Sequence, residues 1–247
     1  MKLHLLGTGA AVSDPHRTTT MLAVEQDDRL LLVDCGGDVI PRMVAMGLDP
    51  VKLDALIVTH EHADHVSGFP LLMERLWLMG RTAPLPVLGI APAIAQVRRV
   101  HDAFDTSSWE GYPGFTTQEI ALEEGAVVWS DEALHVTAAP GVHAVPTVGL
   151  RFESGGGRVL TYSCDTRPSD AITRLADGAH VLVHEATGHG PAHSSASEAA
   201  DIAVAAGTER LILVHVPPEH VRADDVRAAQ QRFGPTEVGS ERTTYDV

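Results

Sequence analysis

Short apolar runs that each stop at a histidine or a carboxylate constrain this chain more than any other feature. Ala55-Leu56-Ile57-Val58-Thr59 runs into His60-Glu61-His62-Ala63-Asp64-His65, and Arg158-Val159-Leu160-Thr161-Tyr162-Ser163-Cys164 into Asp165. Val181-Leu182-Val183 meets His184-Glu185, and Arg210-Leu211-Ile212-Leu213-Val214 meets His215. Such runs read as buried strands. In layered α/β folds, ligands and reactive groups gather just beyond the carboxyl ends of strands. Alone, each His or Asp would be satisfied by ordinary hydrogen bonds, but together they form one rim. The segment His60–His65 alone offers four candidate metal ligands with two spacers. Two imidazoles two residues apart on extended backbone point the same way. Imidazole with carboxylate suits zinc, manganese or iron better than calcium or magnesium.

The remaining pattern places this rim in a larger frame. Leu3–Leu6, Met21–Val24, Leu30–Val33, Ala126–Ser130 and Leu134–Ala139 read as strands, and Gly155-Gly156-Gly157 as a hairpin turn between Thr147–Phe152 and Arg158–Ser163. Helices are expected over Val39–Met46, Gly68–Met79, Pro92–Phe104 and Asp224–Phe233. Ser195-Ala196-Ser197-Glu198 is a capping box opening a helix to Ala206, stopped by Gly207. Strand runs punctuated by amphipathic helices argue for two sheets face to face with helices outside. At 247 residues, with no linker or low-complexity tract, the chain is expected to form a single domain over 1–247.

Here a resemblance enters. His60, His62, Asp64, His65, His143 after Pro140-Gly141-Val142, Asp165 and His215 resemble the ligand set of the metallo-β-lactamase superfamily. Within it, the chain is similar to the ribonuclease Z-like group. The more specific pieces are Cys164-Asp165-Thr166, the His184-Glu185-Ala186-Thr187 box and His193-Ser194-Ser195 ahead of a helix. The resemblance implies a four-layer αββα sandwich, the metallo-β-lactamase fold of the α/β (α+β) class. It also implies two divalent metal ions, zinc first, with manganese or iron as alternatives. His60, His62 and His143 would hold one ion, Asp64, His65 and His215 the other, and Asp165 would bridge them. Two such ions can share a water and lower its pKa toward neutrality, making a bridging hydroxide the nucleophile. Asp64 would orient that water or take its proton. By the same resemblance His193 protonates the leaving oxygen, Glu185 orients a histidine, and Asp34 braces the metal loop.

Other features are weighed against this site. Gly7-Thr8-Gly9 lacks the full Gly-rich fingerprint and reads as a tight turn beneath the metals. His189, between Gly188 and Gly190, reads as a surface position, and His4, His16, His101, His135, His180 and His220 have no partner that the sequence names. Trp109, Tyr112 and Phe115 crowd one Gly- and Pro-containing loop, Asp105–Thr117. They could wall a substrate site, anchor the loop onto the core, or mediate a dimer contact.

Substrate is read from two departures, the short His143–Asp165 spacing and the charge. Ribonuclease Z enzymes that mature tRNA carry a long basic insertion between the His143 and Asp165 equivalents, whereas here only 21 residues lie between them. With 18 basic and 33 acidic residues the net charge is −15, and no Lys/Arg cluster is visible beyond Arg98-Arg99. Nucleic-acid binding normally needs a basic patch. The expected activity is therefore a phosphodiesterase acting on a small or cyclic diester, with nucleic acid disfavoured. The alternatives are a tRNA 3′-processing endonuclease, a lactone, thioester or β-lactam hydrolase, and a metal-bound module without catalysis. No signal peptide and no run of about 18 apolar residues is present, so no membrane partner is expected. Cys35 and Cys164 give no disulfide framework and fit reduced thiols in a cytoplasm. A homodimer is compatible with the resemblance.

Overall fold

The computed structural model describes residues 1–12 and 14–247, and of residues 219–222 the backbone alone. Its strands are β1 (Lys2–Gly7), β2 (Met21–Gln26), β3 (Arg29–Val33), β4 (Ala55–Val58), β5 (Leu85–Gly89), β6 (Phe115–Glu119) and β7 (Ala126–Ser130). They continue with β8 (Leu134–Pro140), β9 (Val148–Ser154), β10 (Val159–Tyr162), β11 (Val181–Glu185), β12 (Arg210–Val214), β13 (Thr236–Val238) and β14 (Thr243–Asp246). The helices are α1 (Ile40–Ala45), α2 (Ala63–Val66), α3 (Phe69–Leu78), α4 (Ala91–His101), α5 (Asp170–Leu175), α6 (Ala196–Ala205) and α7 (Glu219–Arg232).

Two seven-stranded mixed sheets result, ordered β14-β1-β2-β3-β4-β5-β6 and β13-β12-β11-β10-β9-β8-β7. In each, an antiparallel half gives way to a parallel half, at β3 in the first sheet and at β10 in the second. Side-chain alternation builds the layers. On β11 and β12, Val183, Ile212 and Val214 enter the core between the sheets, where Leu31, Ile57, Leu150 and Phe152 also lie. The intervening Leu182, Leu211 and Leu213 pack outward on Ala196, Ala199 and Ala200 of α6. Across the first sheet, Phe69, Leu72 and Leu76 of α3 and Ile94 and Val97 of α4 add the fourth layer. Truncating any of these fully buried leucines to alanine removes about 2–5 kcal/mol. This is the expected αββα sandwich.

The capping box forms as read: the Ser195 hydroxyl accepts from Glu198 N, and Glu198 Oε2 accepts from Ser195 N. The β9–β10 hairpin also forms, pairing Leu150 with Tyr162 and Glu153 with Val159. The last helix starts earlier than expected, at Glu219 rather than Asp224, because Pro218 supplies a start that apolar periodicity does not register. Strands β5, β6, β13 and β14 were not expected. Pro86 breaks the first as a local pattern, and the others are short and mostly polar. β14 exists by long-range pairing alone, Lys2 against Asp246.

Because β3, β4, β10, β11 and β12 lie in or border the parallel halves, their carboxyl ends open on shared rims. Three of them leave the sheet through a left-handed residue that is not glycine: Asp34 (φ 58°), Cys164 (φ 54°) and His215 (φ 51°). Such residues are held there at a cost of roughly 1–3 kcal/mol each, and they gather where function over-determines the backbone.

Candidate metal centre

The loop from His60 to His65 leaves β4 and turns at once into α2, so His60 and His62 project from extended backbone while Asp64 and His65 lie within the first turn. Its seat is made by Gly36. A Cβ there would stand 1.7 Å from the carbonyl oxygen of Asp64, so only glycine lets the two backbones approach. The Cys35 N–H donates to the His65 carbonyl, and Gly68 N–H to that of Cys35, closing the seat.

Two groups of donor atoms meet at the rim. In the first, the His60 Nε2 and His143 Nε2 atoms each stand 3.1 Å from His62 Nδ1. In the second, Asp64 Oδ2 lies 3.6 Å from His65 Nε2 and 3.2 Å from His215 Nε2. Asp165 Oδ2 joins the two. It is 3.6 Å from His65 Nε2, 3.4 Å from His215 Nε2, 3.9 Å from His143 Nε2 and 4.0 Å from His60 Nε2. All seven residues expected to be ligands therefore converge.

Hydrogen bonds behind the rings decide which nitrogen carries the proton. His65 Nδ1 donates to Asp34 Oδ2 at 2.8 Å, and His143 Nδ1 to the Ala192 carbonyl at 2.8 Å. The Thr59 hydroxyl spends its one proton on Asp34, so it can only accept from His60 Nδ1. The Thr187 hydroxyl likewise donates to the His215 carbonyl at 3.0 Å and accepts from His215 Nδ1 at 2.7 Å. Four imidazoles thereby turn Nε2, the nitrogen left to ligate, toward the rim. His65 Nε2 and Asp165 Oδ1, both buried, have no hydrogen-bond partner among the described residues.

This is the test of whether a metal fits, and the residues pass it. One proton on His62 Nδ1 can serve only one of the two nitrogens 3.1 Å from it, and buried polar atoms such as His65 Nε2 and Asp165 Oδ1 are not left without partners. A nitrogen-and-carboxylate donor set suits a divalent first-row ion. The titration behaviour of the metal-free protein agrees. Burial pushes His60 well below its ordinary pKa, and burial lowers His143. Burial would raise Asp165, but His215, His65 and His60 outweigh it and hold the carboxyl well below the usual range. His65 goes the other way: burial opposes its charge, yet Asp165 and Asp34 lift its pKa well above normal. A proton on His65 answers those carboxylates where a metal would otherwise do so.

Beside the ligand cluster stands a second unit. Glu185 is fully buried, and its Oε1 accepts from His193 Nδ1 at 3.0 Å, Ser194 N at 3.0 Å and Thr166 N at 3.2 Å. Its Oε2 accepts from Thr187 N at 2.8 Å. The Glu185 bond raises the pKa of His193, with burial opposing. The His193 ring stands 4.9 Å from that of His143 and stacks at 5.8 Å on that of His215.

Residues outside the cluster fall as follows. Asp34 braces the loop through Thr59 and His65 and does not enter the donor groups. The Gly7–Gly9 turn is a packing device: a Cβ at Gly7 would meet the Thr19 carbonyl at 2.0 Å, and Gly9 bridges to Thr19 and Val216. His189 is exposed and pairs with Glu198. His4 pairs with Glu25 and Thr244, and His101 with Tyr112, whereas the His220 side chain lies outside those described. Of the aromatic group, Phe115 sits on edge strand β6 and packs edge-to-face on Phe69, and Tyr112 stacks on His101. Trp109 stacks on Trp77 at 4.9 Å and, with Pro70, Leu71 and Phe104, walls a groove of about 240 Å³. Sequence reasoning missed Thr59, Thr187 and the Ala192 carbonyl. Only Thr187 left a signal, as the last residue of the His184–Thr187 box.

Known proteins resemble this chain in sequence and in fold. Residues 29–216 match the family described as the Beta-lactamase superfamily domain. A ribonuclease Z of Mycobacterium sp. (strain KMS) is 32% identical, over 88% of this chain and 85% of that one. The ribonuclease Z of Methanothermobacter thermautotrophicus is 28% identical, over 100% of this chain and 97% of that one. Among solved structures, the metallo-beta-lactamase fold protein YhfI of Bacillus subtilis aligns with a TM-score of 0.83 at 22% identity, covering 99% and 98% of the two chains. The short form of human tRNase Z aligns at 0.81 and 22%, covering 100% of this chain and 99% of that one. A diphosphatase from the PhnP family aligns at 0.78 and 19%, covering 100% and 97%. At those identities the structures speak for the fold alone.

Proposed function

The chain belongs to the metallo-β-lactamase superfamily, in its ribonuclease Z-like group, and is a hydrolase; from that premise we propose a phosphodiesterase that uses two divalent ions, zinc first, on a small or cyclic diester. His60, His62 and His143 would hold one ion, and Asp64, His65 and His215 the other, with Asp165 within reach of both groups. When bound, such a pair polarises a phosphoryl oxygen and brings the pKa of a water toward neutrality.

The protein's own groups do the rest. Burial pushes the Asp64 carboxyl up, but its His215 hydrogen bond and the nearby His65 outweigh this and keep it ionised, ready to receive a proton from water. His193, its Nδ1 proton fixed on Glu185, turns Nε2 toward the rim and keeps a proton there for the departing oxygen. Glu185 acts through His193: the same carboxylate also fixes Thr166, Thr187 and Ser194, so it positions the acid against the ligands.

The observation that carries this reading is the Glu185–His193 pair beside the ligand cluster. An alkoxide leaving from phosphorus needs a proton, and a raised-pKa imidazole supplies it. A small substrate is supported by the segment from His143 to Asp165, which is taken up by β9 and β10 with no projecting arm, and by the −15 charge. The name of the relatives favours one second reading, a tRNA 3′-processing endonuclease. One domain over residues 1–247 and a cytoplasmic setting, with Cys35 and Cys164 buried as free thiols, complete the proposal. No helix among the described residues is long and apolar enough to cross a membrane.

The test is hydrolysis of bis(p-nitrophenyl) phosphate by metal-stripped protein, before and after reconstitution with zinc or manganese. Turnover is expected only after reconstitution. Two bound equivalents without turnover would instead point to lactone or thioester hydrolysis. Comparing kcat/KM on small diesters with that on a precursor tRNA then separates the two phosphodiester readings.

A further inference from the structure

From the structure we infer that Arg167 is a receptor for a second anionic group on the substrate, carried by the half that leaves. The inference rests on the phosphodiesterase reading above and narrows its substrate class to diesters that bear an additional phosphate on the leaving alcohol.

Most arginines of this acidic chain are already engaged. Arg42 pairs with Glu241, Arg75 with Asp38, Arg174 with Glu124 and Arg210 with Glu237, while Arg81 is held by backbone carbonyls. Arg167 is exposed, and its side chain makes no hydrogen bond or ion pair among the described residues. Arg158 and Arg242 share that freedom, but Arg158 stands at the end of β10 opposite Asp165, and Arg242 next to β14. Arg167 is the one placed two residues beyond Asp165.

Its backbone is fixed beside His143 and the Glu185–His193 pair, the proposed acid. Arg167 N–H donates to the Val142 carbonyl at 2.9 Å, beside His143. The Thr166 hydroxyl donates to the Arg167 carbonyl at 2.7 Å and accepts from Val142 N at 2.9 Å. Thr166 N in turn donates to Glu185, the residue that holds His193, and the Ser194 hydroxyl donates to the Thr166 carbonyl. One network thus sets the ligand His143, the acid His193 and the Arg167 backbone in a common frame. A free guanidinium on such a rigid stem, in a protein of charge −15, binds a phosphate or carboxylate by two parallel hydrogen bonds. The scissile phosphate already has the ligand cluster and His193, so the group that Arg167 answers is a further one.

The experiment compares thymidylyl-thymidine with the same dinucleotide phosphorylated at its 5′ or its 3′ end, since either sugar oxygen can leave. The zinc-reconstituted parent should prefer one phosphorylated form. Arg167→Ala should lose on the order of tenfold more kcat/KM on that form than on the plain dinucleotide. Arg167→Lys should recover part of the preference, and Arg158→Ala should leave it as in the parent. Equal losses on both substrates, or a parent without preference for either phosphorylated form, overturn the inference alone. A parent that cleaves no diester, bis(p-nitrophenyl) phosphate included, overturns the phosphodiesterase reading and this inference with it.

Discussion

The two donor groups at the rim solve one electrostatic problem differently. His60, His62 and His143 offer nitrogens only, with no carboxylate among them. Asp64, His65, Asp165 and His215 bring two carboxylates into a largely buried pocket, backed by Asp34 behind His65. Without a cation, burial holds His60 and His143 of the first group below their ordinary pKa. The second carries surplus negative charge, which the metal-free protein answers by keeping His65 protonated. Anionic donors also attract a cation more strongly than neutral ones, so the carboxylate half should bind the tighter ion.

The largest test of that division removes what the halves share. Asp165→Ala should drop bound zinc from two equivalents to fewer than one and cut bis(p-nitrophenyl) phosphate turnover by about three orders of magnitude, read by elemental analysis and steady-state rates. Retention of two tight ions would show that Asp165 does not join the halves. Next in size is a pair of single-half variants. His62→Ala should lose the more weakly held ion and keep one resistant to chelator, whereas Asp64→Ala should keep one that a chelator removes easily. If either variant sheds both ions together, the halves are not separable.

A finer probe lies behind the ligands. Thr187→Val removes the hydroxyl that fixes the His215 tautomer, and should weaken one of two zinc equivalents by about 10–100-fold in a competition titration. Thr187→Ser keeps the hydroxyl and should bind like the parent; a valine variant with both ions unchanged would remove Thr187 from the account. The smallest effect serves as a control at a histidine outside both halves. His184 is buried with Nδ1 on the Glu185 carbonyl and Nε2 without a partner among the described residues, and burial lowers its pKa. The folded protein therefore takes up this proton less readily than the unfolded chain. Its contribution to stability is complete above the ordinary value of 6.5 and is lost as pH falls from there toward the lowered pKa. That loss is at most about 1.4 kcal/mol per pH unit. Urea midpoints at pH 7 and pH 5 should fall further apart for the parent than for His184→Asn.

Much of this was legible in the chain. The apolar runs of β4, β10, β11 and β12 and the residues that end them needed only periodicity, because each strand carries its own pattern. The capping box of α6 was equally local. What escaped was non-local or broken: β5 carries Pro86, β14 pairs across almost the whole chain, and α7 begins just after Pro218. The aromatic loop was ambiguous for a similar reason. Nothing in its composition says that Phe115 turns onto Phe69 while Trp109 faces a groove.

The sequence by itself determined which kinds of donor reach the rim, since residue type and strand period are properties of adjacent residues. Only the tertiary structure decided which lone pairs face inward. That choice rests on the Ala192 carbonyl behind His143, Thr187 behind His215 and Asp34 behind His65, partners 49, 28 and 31 residues away in the chain. A hydrogen bond acts over about 3 Å of space and carries no signature along the chain.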